Sequence, residues 1–575
     1  MTYSATMAEC VISAGRDRWP LMVAARRGQL RDNPWLTLVS VALGVIMVGI
    51  DGSVVAVANP YIGRDLHASL ADLQWVTNAY LLVIAVTLIL GGKLGDRFGR
   101  RRVFLIGVVG FSLTSVAIGL AGTIDEVIIL RGVQGAFGAL LLPNTLALLK
   151  AAFPPHELNR AVGIWVSATA AATAAGPIIG GFFVEHISWQ SVFFINLPIG
   201  AIALAVGAVV LNETKESVRQ RFDVPGVVTL ALGLLAIVYG LVNAQNWGWG
   251  SRSTPGLVVI GLVLLAVFVA VERVVRSPLV PLSIFRVRAV SVSTIIVLLD
   301  FFALFGVLFF ISLYLQSVHG FSPVGAGLRL LPLTIAFAVA GPLGARLVNR
   351  FGPWLPITFG LLVSSIAIFS FVTLQVDSSY IHLWPPFVLL GLGIGLVVTS
   401  ATDAIVGDVP EDEAGVAGGI QTTSIQLGGV LGTAVCGSIL AASVTSTLGA
   451  ALTARGVPRS LAHQLLRQGA VVSQGLAPVP RGAAKKLAEA ITNGSHAAFM
   501  AGLHTTMLVA GFVALAGAAL GPLLRPQHEI REEDSDDAPA EIGSAPRPMP
   551  RRLPYRSRRP HAARGRNSLT CAPAP

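Results

Sequence analysis

Between two apolar runs, 74–91 and 103–121, the chain carries the string Gly-Lys-Leu-Gly-Asp-Arg-Phe-Gly-Arg-Arg-Arg at Gly92–Arg102. Each run is long enough to cross a bilayer, since about 20 apolar residues span the hydrocarbon core. The basic string therefore sits in a tight loop at a membrane surface. Its five Lys and Arg residues put that loop on the cytoplasmic side. This segment excludes a soluble globular domain and sets how the chain threads the membrane.

Similar runs recur along the 575 residues, at roughly 36–58, 74–92, 103–122, 126–149, 161–184, 190–211, 224–244, 255–273, 289–315, 324–346, 355–375, 383–406, 414–442 and 497–524. Helices are expected for all fourteen, because an open sheet leaves its edge unsatisfied in lipid and a barrel would show alternation. Only 12% of residues are charged, against about 25% in soluble proteins. The net charge of +11 does not point to a nucleic-acid partner, because the positive residues lie in short loops and in the tail. Only Lys93, Lys150, Lys215, Lys485 and Lys486 are lysines among 41 Lys and Arg, a bias that suggests a GC-rich bacterial genome. Cys10, Cys436 and Cys571 are odd in number and far apart, so neither a disulfide framework nor a metal cluster is expected. Residues 1–34 have no long apolar core and do not read as a cleaved signal peptide.

Loop charge gives the orientation. Lys93 to Arg102, Lys150 with Arg160, Lys215 to Arg221, Arg273 to Arg288, and Arg346 with Arg350 all fall in alternate short loops. The opposite short loops hold little beyond Arg64 and Arg252. Both termini are thus expected in the cytoplasm, in a bacterial cell membrane. Residues 443–496 read as a long outer loop with amphipathic stretches at Ser460–Gly469 and Gly482–Ile491. Residues 525–575 pass from acidic to Arg- and Pro-rich and read as a disordered tail able to touch anionic headgroups.

The ordered spacing Gly-x-x-x-Asp-x-x-Gly in the basic string exceeds what a generic basic loop needs. Gly92 and Gly95 allow close helix approach, and Asp96 offers charge-assisted bonds to Arg97, Arg100 and Arg101. A weaker echo, Gly344-Ala345-Arg346-Leu347-Val348-Asn349-Arg350-Phe351-Gly352, suggests two homologous halves. Other strings stand out: Arg131-Gly132-Val133-Gln134-Gly135; Gly176-Pro177-Ile178-Ile179-Gly180-Gly181; Ile50-Asp51-Gly52-Ser53-Val54-Val55 before Asn59-Pro60; and Phe193 to Gly200.

Together these resemble motifs A, B and C and the span 1 and span 6 strings of the major facilitator superfamily, in its fourteen-span drug:proton antiporter family (EmrB/QacA type). The resemblance covers roughly residues 34–525. Departures are Ser53 and Ala58-Asn59-Pro60 in span 1, Trp189-Gln190-Ser191 before the span 6 string, and Asn349 in place of an acid in the echo. The resemblance implies an all-α integral membrane protein with two six-helix bundles and two extra central helices. The domains expected are a cytoplasmic segment 1–34, an N-terminal bundle 35–212, the extra pair 213–280, a C-terminal bundle 281–524 and the tail 525–575. It implies conformational gating by Gly92, Gly95, Asp96, Arg97, Gly99, Arg100 and Arg101. It implies an antiporter seal at Gly176, Pro177, Gly180 and Gly181, where ordinary helix packing is the plainer reading.

Ionisable groups at membrane depth are costly and mark function by default. Asp51 and Arg131 fall roughly 8–11 Å below the outer boundary of spans 1 and 4, at 1.5 Å rise per residue, and can pair. A purely structural ion pair is the alternative to a proton site. The resemblance assigns Arg131 a proton-transfer role. Asp300, amid Leu298, Leu299, Phe301 and Phe302, reads as a second proton site, a cation anchor or a structural contact, with Arg329 as candidate partner. Asp403 reads as interfacial and His504 as a packing residue. The function expected is proton-coupled export of drugs or amphipathic secondary metabolites. Its partners are protons, a small amphipathic substrate and the bilayer, without cofactor, ATP or enzymatic chemistry. No Gly-x-x-x-x-Gly-Lys-Ser/Thr string is present. The alternatives are a narrow exporter of a lipid, siderophore or amino-acid-like solute, and a membrane sensor or scaffold.

Overall fold

The computed structural model describes residues 33–214, 223–275, 278–407, 409 and 414–525. The readings of the N-terminal segment, of most of the loop 407–413 and of the tail beyond Arg525 lie outside these residues. Fourteen described helices are long and apolar enough to cross a membrane. Their main helical elements, some lengthened in the span by a short flanking helical turn, are α1 (Pro34–Asp65), α2 (Leu70–Phe98), α3 (Arg100–Gly119), α4 (Ile124–Ala152), α5 (Pro155–His186), α6 (Asn196–Val210), α7 (Val224–Trp247), α8 (Ser253–Val274), α9 (Arg288–Leu313), α10 (Leu331–Phe351), α11 (Trp354–Ser370), α12 (Trp384–Gly407), α13 (Ala414–Thr453) and α14 (Lys485–Leu520).

Local sequence starts and stops them. Asn33 caps α1 by accepting from the N–H groups of Trp35 and Leu36. Ser69 with Asp72, and Thr123 with Glu126, form capping boxes at α2 and α4. Gly99, at φ +107°, ends α2 and opens α3 without an intervening loop, in a conformation that costs a side-chain-bearing residue.

Lipid provides no hydrophobic drive between helices, so close packing and polar contacts must hold them. In the first half α1 packs on α5 and α6, α2 on α4, and α3 on α4 and α6. In the second half α9 packs on α13 and α14, α10 on α12, and α11 on α12 and α14. The second set is the first shifted by eight helices. The echo string takes part in this repeat. Gly344 packs on Leu396 and Thr399 of α12 as Gly95 packs on Asn144 of α4, and Gly352 (φ +75°) ends α10 as Gly99 ends α2. The two extra helices, α7 and α8, pack on each other, and α7 also lies against α2 and α13, one from each bundle.

Two expected boundaries move. Helix α13 runs on to Thr453 and α14 begins at Lys485. The connection expected over 443–496 therefore shortens to 454–484, with short helices at Arg459–Leu465 and Gly469–Val472. The Gly482–Ile491 stretch is mostly the first turns of α14. Its amphipathic pattern is that of a helix half covered by neighbours, with Ile491 buried.

Candidate functional site

The first half holds a polar network in its interior. Asp51 on α1 and Arg131 on α4 are fully buried, with Arg131 Nη1 2.5 Å from Asp51 Oδ2. The other carboxylate oxygen, Oδ1, accepts from Gln134 Nε2 at 2.9 Å and from Asn196 Nδ2 at 3.1 Å. Arg131 also donates to Gln134 Oε1 at 2.7 Å and, through Nε, to the carbonyl of Val76 at 3.1 Å. Ser115 on α3 accepts from both Gln134 and Asn196 and donates to the Phe193 carbonyl. The guanidinium lies 4.1 Å from the Tyr80 ring centroid. Buried charges persist only when paired and hydrogen-bonded, and this pair meets that condition from α1, α2, α3, α4 and α6.

Sequence reasoning found Asp51 and Arg131 but gave no role to Gln134, Asn196 or Ser115. A signal existed for two of them. Gln134 follows Arg131 by three residues, hence on the same helix face, and Asn196 lies in the span 6 string.

The second half differs. Asp300 on α9 is 1% exposed, and neither carboxylate oxygen has a hydrogen-bond partner among the described residues. One turn earlier, Ile296 and Val297 pack with Ile357, Leu361, Val397 and Ala401. The expected partner, Arg329, does not reach it. Its guanidinium sits 3.5 Å from the Phe321 ring centroid and donates to the Gly325 carbonyl. Arg329 closes a short helix at the opposite end from the Arg-rich loops, where an aromatic face is nearer than the carboxylate. Asp403 is exposed, and His504 contacts the Leu374 carbonyl at 2.7 Å.

The basic string is spent on several partners. Arg100 binds Asp96 at 2.8 Å. Arg101 instead donates to the Ala208 carbonyl at 2.6 Å, and its backbone N–H meets Glu213. Arg97 lies against the Phe98 ring, and Lys93 Nζ donates to the Pro278 carbonyl at 2.7 Å. The close approach to α4 is made at Gly91 and Gly95, where a Cβ would collide with Ala139 and Asn144. At Gly92 a Cβ would meet only Pro143, at an ordinary 3.5 Å.

At the opposite end, Gly176 and Gly180 pack on Ser53 and Val54 of α1, while Gly181 and Pro177 meet Pro323 and Gly327 of the second half. There Glu185 Oε2 accepts from the Val324 N–H at 3.0 Å. Ser312 donates to the Ala56 carbonyl, and Gln474 in the 454–484 connection to that of Ala68. These bonds tie the two halves together at this end.

This arrangement of repeated six-helix bundles around buried charged groups defines a multi-pass membrane transporter. A Major Facilitator Superfamily profile matches residues 41–433, and the chain belongs to that superfamily. It is 43% identical over 522 residues to the tetracenomycin C resistance and export protein of Streptomyces glaucescens, covering 89% of this chain and 95% of that protein. It is 32% identical to the multidrug efflux pump LfrA of Mycolicibacterium smegmatis, covering 84% and 95%. Among solved structures, a bacterial homologue of the human lysosomal transporter Spinster aligns over 86% of this chain and 99% of its own, at TM-score 0.57 and 16% identity.

Proposed function

We propose that the protein is a proton-coupled antiporter that exports drugs or amphipathic secondary metabolites. The Arg-rich end and both termini lie in the cytoplasm. The observation that carries this reading is the Asp51 network. A carboxylate held by one cation and two neutral donors can exchange its ion pair for a proton when helices shift, because its partners sit on α4 and α6 and none on its own helix α1. A Cβ on Gly52, beside Asp51, would meet no atom within 4 Å, so α1 borders open space where a solute can approach. Asp300, whose carboxylate has no hydrogen-bond partner among the described residues, takes a second proton or the positive charge of a cationic solute. The Gly92–Arg102 string works as a gate, since it ties the α2–α3 turn to the end of α6 and to the α8–α9 connection. The Gly176–Gly181 face seals the opposite end.

The solute class follows the relatives, whose names cover both single antibiotics and many drugs. A narrow exporter stays in view because the 43% relative is named for one compound. Transport does not need ATP or a cofactor. Purified protein in liposomes, given an acidic exterior and a panel of ethidium and single antibiotics, tests the reading. Uphill movement that collapses with the pH gradient supports it. Flux indifferent to the gradient overturns proton coupling, and absence of flux for every compound favours a sensor or scaffold.

A further inference from the structure

We propose that a cleft between α8 and the turn leading into α9 binds one anionic phospholipid of the leaflet at the Arg-rich end. The cleft holds about 560 Å³ and is lined by Val269, Arg273, Leu282, Ser283, Phe285 and Arg286. Two of these lie on the last turns of α8, and the rest on the single 3₁₀ turn Leu282–Arg286. Arg273 and Arg286 are exposed, and neither has an ion pair or hydrogen bond among the described residues. Guanidinium groups suit phosphate because their fork matches its oxygens.

Three features favour a lipid over a free anion. The cleft walls between the arginines are apolar (Val269, Leu282, Phe285), which suits an acyl stem rather than water. The adjoining face of α8 is bare and apolar, with Val259, Val263, Val267 and Val274 exposed, so the cleft continues into a lipid-facing surface. Its arginines stand at the end of a membrane span, at headgroup level, where basic pockets select anionic lipid.

The cleft is preformed. Glu272, next to Arg273 but buried at 4% exposure, accepts from the N–H groups of Leu279 and Val280 at 3.2 and 3.0 Å. Lys93 holds the Pro278 carbonyl from the same inner side. Glu272 is thus occupied with backbone and leaves Arg273 uncompensated on the outer side. Asp223, the α7 cap, adjoins Glu272. A lipid in the cleft therefore rests on the segment that the Gly92–Arg102 string grips from within. This inference holds whichever solute is carried.

The test is native mass spectrometry of the full-length protein purified with phosphatidylglycerol or phosphatidylcholine. One retained phosphatidylglycerol is expected under conditions that strip phosphatidylcholine. The double variant Arg273→Gln/Arg286→Gln should retain it less by on the order of 25-fold, at roughly fivefold per arginine near an anionic surface. Ser283→Trp, which puts an indole into the cleft between the two arginines and leaves both in place, should lose the same adduct. Its thermal unfolding midpoint should match wild type in phosphatidylcholine but no longer rise on adding phosphatidylglycerol. Equal retention in Ser283→Trp overturns the site. So does stabilisation of wild type by inorganic phosphate to the same extent as by phosphatidylglycerol, which would mark a free-anion site.

Discussion

Asp51 and Asp300 occupy corresponding first helices of the two bundles, α1 and α9, and both are buried. Asp51 has a cation and two amide donors within 3.1 Å, whereas Asp300 has no hydrogen-bond partner among the described residues. The repeated fold has thus kept the backbone arrangement and let the polar interiors diverge. The first half stores its charge in a network that the chain supplies by itself. The second half presents an acid whose charge must be met by a proton or by something that arrives. On this account Asp51 couples the proton and Asp300 responds to the solute.

Breaking the first network should have the largest effect on stability. Arg131→Ala leaves the Asp51 carboxylate buried beside only neutral donors, and loss of one partner of a buried pair costs about 3–5 kcal/mol. The double variant Asp51→Asn/Arg131→Ala should regain part of that loss. A double-mutant cycle on thermal stability in detergent checks this, and simple additivity would mean that the pair carries no interaction energy. Next in size is Asn196→Ala, which removes one neutral donor from Asp51 Oδ1 and leaves Ser115 short of a partner. A cost of roughly 1–3 kcal/mol is expected for such a deletion. It should be read together with the pH dependence of uphill efflux, which a merely structural asparagine would leave in place.

The smallest stability change should come from Asp300→Asn. No hydrogen bond to the carboxylate is lost, so the unfolding midpoint should stay level or rise. A marked fall would reveal a partner and erase the contrast between the halves. Transport should respond unevenly. Uptake of a cationic dye into inverted vesicles should weaken in Asp300→Asn while that of a neutral antibiotic holds. Equal loss for both would move Asp300 from solute recognition to proton coupling.

The sequence disclosed the charged members of these sites because a charge at membrane depth is costly and therefore conspicuous. Asp51 and Arg131 could even be matched in depth by counting residues from the ends of their spans. The neutral members were less legible. Gln134, Asn196 and Ser115 cost much less to bury, so composition alone does not separate them from the many small polar residues of the other helices; only the spacing of Gln134 from Arg131 and the place of Asn196 in the span 6 string mark two of them. The failure of Arg329 to reach Asp300 has a different cause. Arg329 closes a short helix at the outer end, nearer that surface than Asp300 in the middle of α9, and the Phe321 ring and the Gly325 carbonyl that take up its guanidinium there are contacts that only packing reveals. The repeat was visible only as one worn string around Gly344–Gly352, whereas the eight-helix shift in packing partners makes it plain. The second role of Lys93, bonding to Pro278, lies 185 residues away in sequence and depends on where α7 and α8 dock.

The most direct test of the central claim reconstitutes wild type and Asp51→Asn in the same liposomes. Two quantities are measured with one drug: uphill transport driven by an imposed pH gradient, and counterflow exchange without a gradient. Asp51→Asn should abolish uphill transport to the level of empty liposomes while exchange continues, because the substituted amide can no longer trade a proton for Arg131 yet leaves the solute path intact. Uphill transport by Asp51→Asn at the wild-type rate would contradict the account and leave the buried Asp51–Arg131 pair as structure alone.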